Sequence, residues 1–576
     1  MRLEDYWGVG PKTSDLLESE LGVERAIEAI EGSDVRALTE AGLARGRATR
    51  ILRRANGGEG MAVLATRDTR SVYKDLLDLA SDYAVTEDAA DRIRVLTPLP
   101  TREAAEERLD AVTEATDSWG DVDEATREAV LDAFEGYDGG ERAAVETVLA
   151  LREAGVSDGA FAPVAAIDGD ALESAVGALG KLDDGEVADG ADEELDRRRE
   201  ALSAVERLES GALDVLERVQ SGDVRGPDEF RESFVEYVAD ETGIGPGEIR
   251  SATTGDATDA TDFVSQSLRA VVEAQREAVE EREERVAAEL REDIEAAREA
   301  IDAAVETVDD LAFHLSLARF ADAFEMTRPE FAEGAFAVEN ARNLFLAAGS
   351  GSVQPITYGV GDHRVAGPPS GDRVSVLTGA NSGGKTTLLE TLCQVGLLAQ
   401  MGLPVPADRA QVSPSDAIVF HRRHASFNAG VLESTLRSIV PPLTTDGRTL
   451  MLVDEFEAIT EPGSAADLLH GLVGLTVDKG ALGVFVTHLA DDLNPLPDQA
   501  RKDGIFAEGL DDDLELQVDY QPRFDTVGRS TPEFIVSRLI ASADDRSERA
   551  GFDVLGRAVG EAAVQRTLDS WAGGDE

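Results

Sequence analysis

A glycine-rich stretch near the middle of the chain constrains the fold more than any other feature. Apolar residues from Val374 to Leu377 predict a buried strand, and apolar residues at helical spacing from Leu388 to Val395 predict a helix. The residues between fit G-x-x-x-x-G-K-[ST], in which backbone N–H groups surround phosphate oxygens at a helix start. A glycine turn without a ligand is the alternative, which the complete strand–loop–helix context disfavours. The candidate phosphate-binding residues are Gly379, Ala380, Asn381, Ser382, Gly383, Gly384, Lys385 and Thr386.

Two further predicted strands end in residues that suit nucleotide chemistry. Residues 449–453 are followed by Asp454 and Glu455, and residues 482–487 are followed by His488. Because the carboxyl ends of parallel strands meet at one edge of a sheet, we expect these side chains to lie beside the glycine-rich stretch. Each pattern is weak evidence alone, and their common order after that stretch makes the set stronger.

Each residue type has a role in phosphoryl transfer to water. Lys385 would contact the β- and γ-phosphates, and Thr386 and Asp454 would hold Mg²⁺. Glu455 would orient and deprotonate the attacking water. His488 would sense the γ-phosphate by donating a hydrogen bond. The set therefore predicts hydrolysis of a nucleoside triphosphate.

The chain is strongly acidic along its whole length. Asp and Glu number 115 and Lys and Arg 55 in 576 residues, which gives a net charge of −60. Such self-repulsion is tolerable where molar salt shortens the Debye length to about 3 Å, so we expect a halophilic, cytoplasmic protein. Hydrophobic residues at 42% disfavour a disordered acidic protein. Because the sequence contains neither a long apolar run nor an N-terminal signal segment, we expect no membrane association.

Two similar sequences near the N-terminus predict a DNA-binding module. Residues 8–12 (Gly-Val-Gly-Pro-Lys) and residues 42–47 (Gly-Leu-Ala-Arg-Gly-Arg) each precede a predicted helix. They resemble the hairpins of a tandem helix-hairpin-helix domain, in which glycines let backbone N–H groups contact a DNA phosphate. Since the net charge disfavours general attraction to DNA, any contact must rely on such local geometry. A helical protein–protein module is the alternative. The candidate DNA-contacting residues are Gly8, Gly10, Lys12, Gly42, Arg45 and Arg47.

The region between residues 61 and 325 is predicted to be helical. Residues 183–192 are acidic and glycine-rich, which predicts a loop or linker. Residues 262–324 contain neither proline nor glycine, and apolar residues recur from Val279 to Val308 at spacings of three, four and seven. This pattern predicts one long helix that packs along a partner helix.

Four segments in a fixed order resemble the ATPase domain of the MutS family. They are residues 378–387 (TGANSGGKTT), 397–407 (LLAQMGLPVPA), 450–455 (LMLVDE) and 485–488 (FVTH). The second segment is the most specific, since a phosphate-binding loop alone does not require it. The resemblance implies an ABC-type fold, in which two subunits enclose two ATP molecules and each signature loop completes its partner's site. Ser426, Asn428 and Glu433 are the candidates for that contact, although the family's usual Ser-Thr-Phe is missing.

Other departures narrow the resemblance to the archaeal branch of the second MutS subfamily. The family's mismatch-reading domain has no counterpart, and the helix-hairpin-helix sequences stand in its place. The tail likewise lacks a match to the nuclease-type domain of bacterial members of the second subfamily, so nuclease activity is not expected. The resemblance implies a homodimeric ATPase that uses ATP and Mg²⁺, binds DNA largely without sequence or mismatch specificity, and acts in repair or recombination. A ribosome- or RNA-associated ATPase in translation quality control is the alternative.

The sequence therefore predicts a multidomain protein with α and α/β parts. Its predicted domains are a tandem helix-hairpin-helix module (1–57), a helical core, lever and clamp region (61–325), a MutS-type ABC ATPase domain (326–545) and a short helical tail (546–576).

Overall fold

The computed structural model describes most of the chain and divides it into two compact units. The described residues are 3–6, 8–32, 34–58, 60–183, 185–221, 226–253, 257–349, 353–379, 384–423, 429–445, 447–455, 462–510, 516–528, 532–543 and 545–572. One unit comprises residues 1–127, 158–161 and 309–576, and the other comprises residues 128–157 and 162–308. The prediction of a multidomain protein with helical and mixed α/β parts is confirmed.

The first unit begins with four short helices that share one apolar core. They are α1 (Pro11–Glu20), α2 (Val23–Glu31), α3 (Val35–Glu40) and α4 (Arg45–Gly57). The two predicted hairpins precede α1 and α4, and Gly8 and Gly42 there have φ of +85° and +92°, which glycine adopts without strain. A Cβ on Gly8 would lie 3.2 Å from Ile51 of α4, and one on Gly42 would lie 3.8 Å from Leu16 of α1. Each hairpin therefore packs against the helix that follows the other hairpin.

Three helices connect this module to the sheets of the same unit: α5 (Arg67–Ser81), α6 (Glu87–Arg94) and α7 (Arg102–Asp121). Thr66, Thr86 and Thr101 cap their N-termini through side-chain oxygens, as expected of threonine at this position.

The second unit is almost entirely helical. Its helices include α8 (Glu124–Glu135), α9 (Glu141–Glu153), α10 (Ala162–Ala166), α11 (Gly169–Leu179), α12 (Glu193–Ser210), α13 (Ala212–Gln220), α14 (Pro227–Thr242), α15 (Pro246–Ala252), α16 (Ala260–Ala296) and the start of α17 (Arg298–Ala323). The stretch predicted to be a loop contains an antiparallel pair, β1 (Leu182–Asp183) and β2 (Glu186–Val187).

The single long helix predicted for residues 262–324 is instead two consecutive helices. The interruption lies at Ala297, whose φ of −97° and ψ of 5° depart from helical values. Its N–H still donates to the carbonyl oxygens of Asp293 and Ile294. The break occurs in a stretch that contains neither proline nor glycine. The apolar seam itself is confirmed, because Val279, Val286, Leu290, Ile294, Ala297, Ile301 and Val308 are buried.

Two sheets form the rest of the first unit. The smaller sheet has the order β3-β7-β4-β5 and contains β3 (Glu330–Phe331), β4 (Ala335–Ala341), β5 (Ile356–Gly361) and β7 (Arg409–Val412). The larger sheet has the order β12-β11-β6-β10-β9-β8 and contains β6 (Val374–Gly379), β8 (Ala417–His421), β9 (Thr449–Asp454), β10 (Leu482–Val486), β11 (Ala500–Leu510) and β12 (Leu516–Arg523).

The helices of this region are α18 (Leu344–Ala347), α19 (Lys385–Gln400), α20 (Ala429–Thr444), α21 (Pro462–Asp478), α22 (Pro532–Ser542) and α23 (Arg546–Ala572). α19 is buried on nearly all sides and packs among β6, β8, β9 and β10. α22 packs on α23, which is kinked at Gly560. The strands and the helix predicted around the glycine-rich stretch are thus confirmed.

Candidate functional site

The predicted nucleotide residues lie at one edge of the larger sheet. Its strands β8, β9, β10, β6 and β11 all run parallel, and only β12 is antiparallel. Their carboxyl ends therefore meet at the same edge, where ligands of open α/β sheets bind. β6 leads into the glycine-rich stretch at this edge, and α19 begins there.

Two glycines at the ends of this stretch are required by close packing. Gly379 ends β6 with φ of +136°, and a Cβ there would lie 2.3 Å from the carbonyl oxygen of Ile505. Gly384 caps α19 with φ of +69°, and a Cβ there would lie 2.7 Å from the ring of Tyr520. Neither position can hold a larger residue without a shift of its neighbours. Ala380, Asn381, Ser382 and Gly383 lie outside the described residues.

The first two residues of α19 reach the ends of neighbouring strands. The buried Lys385 donates a hydrogen bond from Nζ to the Gly379 carbonyl oxygen at 2.9 Å, and Nζ lies 3.9 Å from Oε1 of Glu455. The Thr386 hydroxyl donates to Oδ2 of the buried Asp454 at 2.5 Å. Lys385, Thr386, Asp454 and Glu455 are therefore brought together, as the sequence predicts.

An unusual backbone conformation places Asp454 and Glu455 on the same site. Consecutive side chains of a strand point to opposite faces of the sheet. Glu455, just past the end of β9, has φ of +41°, which few residues other than glycine adopt, and its N–H donates to the Val486 carbonyl oxygen at 3.0 Å. The left-handed turn ends the alternation, so the Glu455 carboxylate can approach Lys385 while Asp454 contacts Thr386.

Side chains from three elements approach the Glu455 carboxylate. Nε2 of His488, which follows β10, lies 2.6 Å from Oε1, and Nη1 of Arg423, which follows β8, donates to Oε2 at 2.5 Å. The hydrogen bond from His488 lowers the pKa of Glu455, and the charges of His488, Arg423 and Lys385 act in the same direction against the effect of burial. Glu455 is therefore ionised at neutral pH.

Arg423 is a site residue that the sequence predictions missed. The signal was available, because Arg423 follows a third apolar strand and so lies at the same sheet edge as Asp454 and His488. Tyr520 was also missed. It comes from the antiparallel strand β12 and contacts Gly384, and no motif marks it.

A cavity of about 420 Å³ adjoins these residues, within the size range of small-molecule sites. Its lining includes Asn343, Gln354, Gly384, Lys385, Thr386 and Tyr520. Apolar side chains, with Thr387 and Thr391, complete the wall, so the cavity could receive an uncharged ring beside the phosphate-binding residues.

The donor set at Thr386 and Asp454 fits magnesium. A hydroxyl and a carboxylate are hard oxygen ligands, and magnesium usually takes only one or two protein ligands, with phosphate and water as the others. No cluster of three or more His, Cys, Asp or Glu side chains that could hold a metal occurs in the described part of the chain.

The predicted trans-contact residues are only partly described. Ser426 and Asn428 lie outside the described residues. Glu433 is exposed on α20 and forms an ion pair with Arg437 at 2.7 Å.

The six DNA candidates lie at the two hairpins. Gly8, Gly10 and Lys12 are exposed at the start of α1. Arg45 forms an ion pair with the buried Asp91 of α6 at 2.8 Å, and Arg47 donates to the Thr13 hydroxyl at 2.6 Å. Arg45 therefore connects α4 to α6, and Arg47 connects α4 to α1. Gly42 lies in the second hairpin.

The sequence of the chain is similar to those of several known proteins. Residues 375–457 match MutS domain V. The chain is 43% identical to "DNA-binding protein MutS2" of Pyrococcus furiosus over 237 residues, which are 41% of each chain. It is 28% identical to "Endonuclease MutS2" of Maridesulfovibrio salexigens over 29% of this chain and 22% of that protein. It is 32% identical to the mitochondrial "DNA mismatch repair protein MSH1" of Arabidopsis thaliana over 27% of this chain and 14% of that protein.

Two of these three relatives are MutS2 proteins. In each comparison the aligned part covers less than half of this chain and less than half of the relative. The MutS domain V segment includes the glycine-rich stretch, Asp454 and Glu455, and ends before His488. In the described part of the chain, no helix is both long and apolar enough to cross a bilayer.

Proposed function

We propose that the chain is a MutS-type ATPase that binds DNA, with ATP as the substrate and Mg²⁺ as the cofactor. The observation that carries this proposal is the meeting of Lys385, Thr386, Asp454 and Glu455 at the edge of a parallel sheet. The match of residues 375–457 to MutS domain V and the similarity to MutS2 proteins support it.

The roles follow from the atoms that each residue offers. Lys385 and the glycine-rich stretch bind the phosphates, and the adjoining cavity receives the ribose and base. Thr386 and Asp454 would hold Mg²⁺, which neutralises charge on the phosphates when bound. Glu455 orients the attacking water and accepts its proton, since its carboxylate is ionised and lies near Lys385. His488 positions Glu455 through the hydrogen bond from Nε2 to Oε1, and it would donate to the γ-phosphate by exchanging that bond for one to the phosphate.

DNA binding is proposed for the N-terminal module. The positive φ of Gly8 and Gly42 and the reciprocal packing of the two hairpins support a tandem helix-hairpin-helix arrangement. The name of the Pyrococcus relative refers to DNA binding, which supports this proposal. Binding without mismatch preference is proposed from the resemblance to the second MutS subfamily. The name of the Maridesulfovibrio relative refers to endonuclease activity, so cleavage is an outcome to be measured.

Contacts within the first unit offer a connection between the two activities. Arg45 of α4 pairs with Asp91 of α6, and Arg53 donates to the carbonyl oxygen of Arg94. At the start of α5, the Asp68 carboxylate accepts from the backbone N–H of Arg422 at 2.8 Å, one residue before Arg423. We therefore propose that DNA at the hairpins changes the rate of ATP hydrolysis.

A homodimer is proposed because Glu433 is exposed on α20, where a second copy could meet it, and because the resemblance implies a shared nucleotide site. Sedimentation with and without ATP tests this part. A protein that remains monomeric while it hydrolyses ATP at full rate would contradict it.

The test of the ATPase is Glu455→Gln, which keeps the shape of the side chain and removes its basicity. We expect ATP binding to persist while turnover falls by about 10²–10⁴-fold. Glu508→Gln is the control, because Glu508 is an exposed glutamate on β11 that forms an ion pair with Arg523 of β12. Normal turnover in Glu455→Gln would refute the assignment of the base. DNA binding is tested by gel shift with paired and mismatched duplexes at high salt, and the same gels reveal any cleavage.

A further inference from the structure

Arg423 is a cationic residue at the candidate site, and the hydrolysis mechanism proposed above assigns it no role. Its Nη1 donates to Oε2 of Glu455 at 2.5 Å, and the Glu455 side chain is buried. The Arg423 side chain is 49% exposed. A half-exposed arginine thus engages the carboxylate that must accept a proton from water.

Both oxygens of Glu455 are engaged. Oε1 is approached by His488 at 2.6 Å and by Lys385 at 3.9 Å, and Oε2 is taken by Arg423. A general base must lie within hydrogen-bond reach of the water from which it takes the proton. While Arg423 holds Oε2, that oxygen is directed at the guanidinium and is shielded from a water on the same side.

The main chain that carries Arg423 is fixed on its N-terminal side. The backbone N–H of Arg422 donates to Asp68, its guanidinium pairs with Glu390, and it stacks over the Phe420 ring at 5.2 Å. Arg423 therefore starts from an anchored position, and its long, half-exposed side chain is the part that can move. Rotation of that side chain would break the contact with Glu455 without disturbing the sheet.

We propose that Arg423 is a positioning residue that restrains Glu455 in the resting protein and releases it in only a fraction of the molecules that have bound a nucleoside triphosphate. This inference rests on the proposed function. Release has a physical cause, because the phosphates that bind at Lys385 bring negative charge close to Glu455. That charge attracts the Arg423 guanidinium and repels the carboxylate, so the ion pair is weakened from both sides. Molecules that keep the ion pair after the triphosphate has bound do not hydrolyse it until the pair breaks, so Arg423 lowers kcat.

The Arg423–Glu455 ion pair should make ATP turnover slower than turnover in molecules that lack the pair. If only molecules with a broken Arg423–Glu455 ion pair hydrolyse ATP, kcat is proportional to the fraction of molecules in which the pair is broken. Its removal therefore raises kcat and leaves the affinity for ADP unchanged, since ADP binding does not require Glu455. A residue that only supports the fold would lower kcat or stability when removed, so the direction of the change distinguishes the two roles.

The experiment compares wild type, Arg423→Gln and Arg423→Lys in steady-state ATP hydrolysis without DNA. Arg409→Gln is the matched control, because Arg409 is a similarly exposed arginine that pairs with Glu330. We expect kcat of Arg423→Gln to rise about fivefold or more, which corresponds to about four fifths or more of the ATP-bound molecules keeping the ion pair. KM and the ADP Kd should stay within about twofold of wild type. Arg423→Lys keeps a cation near Glu455 and should restore a rate close to wild type.

An unchanged or lower kcat in Arg423→Gln, with an unfolding midpoint like that of wild type, would overturn the restraint. If Arg423→Gln unfolds, Arg423→Lys decides instead, since a rate far below wild type would show that Arg423 assists the reaction. Wild-type protein that neither binds nor hydrolyses ATP would overturn the proposed function as well. An active wild type without faster variants would overturn the restraint alone.

Discussion

Thr386 and Asp454 are 68 positions apart in the sequence, yet the Thr386 hydroxyl donates a hydrogen bond of 2.5 Å to the Asp454 carboxylate. Thr386 lies in the first turn of α19 and Asp454 ends β9, so this contact joins the glycine-rich stretch to the second strand of the site. Both atoms are hard oxygen ligands on the side of α19 where the phosphates would bind.

Substitution of Asp454 should therefore weaken Mg²⁺ binding more than nucleotide binding. We expect Asp454→Asn to lower ATP turnover by about 10²–10³-fold, because a metal contributes several kcal/mol to the stabilisation of transition-state charge. The concentration of Mg²⁺ that half-saturates the rate should rise. Turnover measured against MgCl₂ checks this, with the exposed Asp416→Asn as control. An unchanged Mg²⁺ dependence would contradict the assignment of Asp454.

Gly379 should be essential to the fold as well as to the site. Its φ of +136° is unfavourable for alanine, and an alanine Cβ would lie only 2.3 Å from the Ile505 carbonyl oxygen. We expect Gly379→Ala to reduce the free energy of unfolding by about 2–4 kcal/mol, as the sum of backbone strain and overpacking. Urea unfolding measures the change.

Gly471→Ala is the matched control for that substitution. Gly471 lies inside α21, and a Cβ there would meet nothing within 4 Å. Alanine favours a helix over glycine, so this variant should gain about 0.5–1 kcal/mol. If both variants lose stability equally, the close approach to Ile505 is not the cause.

Lys12 and Arg45 should differ in their contribution to DNA binding. Lys12 is exposed at the start of α1, whereas the Arg45 guanidinium is already paired with Asp91. We expect Lys12→Gln to lower the slope of log K against log[KCl] by about 1, the effect of losing one phosphate contact. Arg45→Gln should change the slope less. Lys74→Gln, on α5, is the control. Equal slopes for wild type and Lys12→Gln would exclude this phosphate contact.

The second unit should lose stability in acid through Asp192. The hydrogen bond from Arg282 lowers the pKa of Asp192 to about 2, and the N–H of Leu195 adds to the effect. A depressed pKa in the folded state means that the contribution is complete above the unfolded pKa of about 4 and is lost as pH falls through about 2.

Arg282→Gln tests that contribution. Its unfolding midpoint should lie below that of wild type at pH 7, and the difference should shrink as the pH falls from about 4 towards 2. Arg269→Gln is the control, because Arg269 is 75% exposed and lies 3.7 Å from Glu209. A difference that does not change with pH would show that Arg282 acts through packing.

Sequence patterns predicted the parts of the site that lie on single elements. The strand before Gly379, the helix after it and the strands that end at Asp454 and His488 follow from apolar runs and a motif with a physical reason. Contacts between elements were less accessible. Arg423 approaches Glu455 because β8 neighbours β9, and no pattern within either strand specifies that neighbour.

Local conformations that oppose residue preference were also beyond the sequence. Glu455 adopts a positive φ although glutamate disfavours it, and only the surrounding hydrogen bonds and ion pairs explain why. The break at Ala297 divides a stretch of good helix formers without a proline or glycine to mark it. At Glu455, tertiary contacts override the intrinsic preference of the residue, whereas the structure offers no such explanation for the break at Ala297.

The buried pair of Arg501 and Asp503 should be among the most sensitive positions of the sheet. Nε of Arg501 lies 3.0 Å from Oδ2 of Asp503, and both side chains are almost fully buried. The same carboxylate oxygen accepts from Tyr358 of β5 at 2.8 Å and from Ser375 of β6 at 2.6 Å. Burial, more than the nearby Asp503 charge, raises the pKa of Tyr358 well above its usual value, so the phenol stays a donor. The network joins the two sheets behind the strand that leads to Gly379.

Removal of one member leaves a buried charge without its partner, so we expect Arg501→Met to lower the free energy of unfolding by about 3–5 kcal/mol. Asp503→Asn should cost less, because its amide can still meet Tyr358 and Ser375, while Arg501 retains the Gly359 carbonyl oxygen at 2.5 Å. The control is Arg523→Gln, since Arg523 pairs with Glu508 at the exposed edge of the same sheet. Urea unfolding of the three variants measures the order. If Arg501→Met is as stable as the control, the buried pair contributes no more than a surface ion pair and the sheets are held together by their apolar contacts.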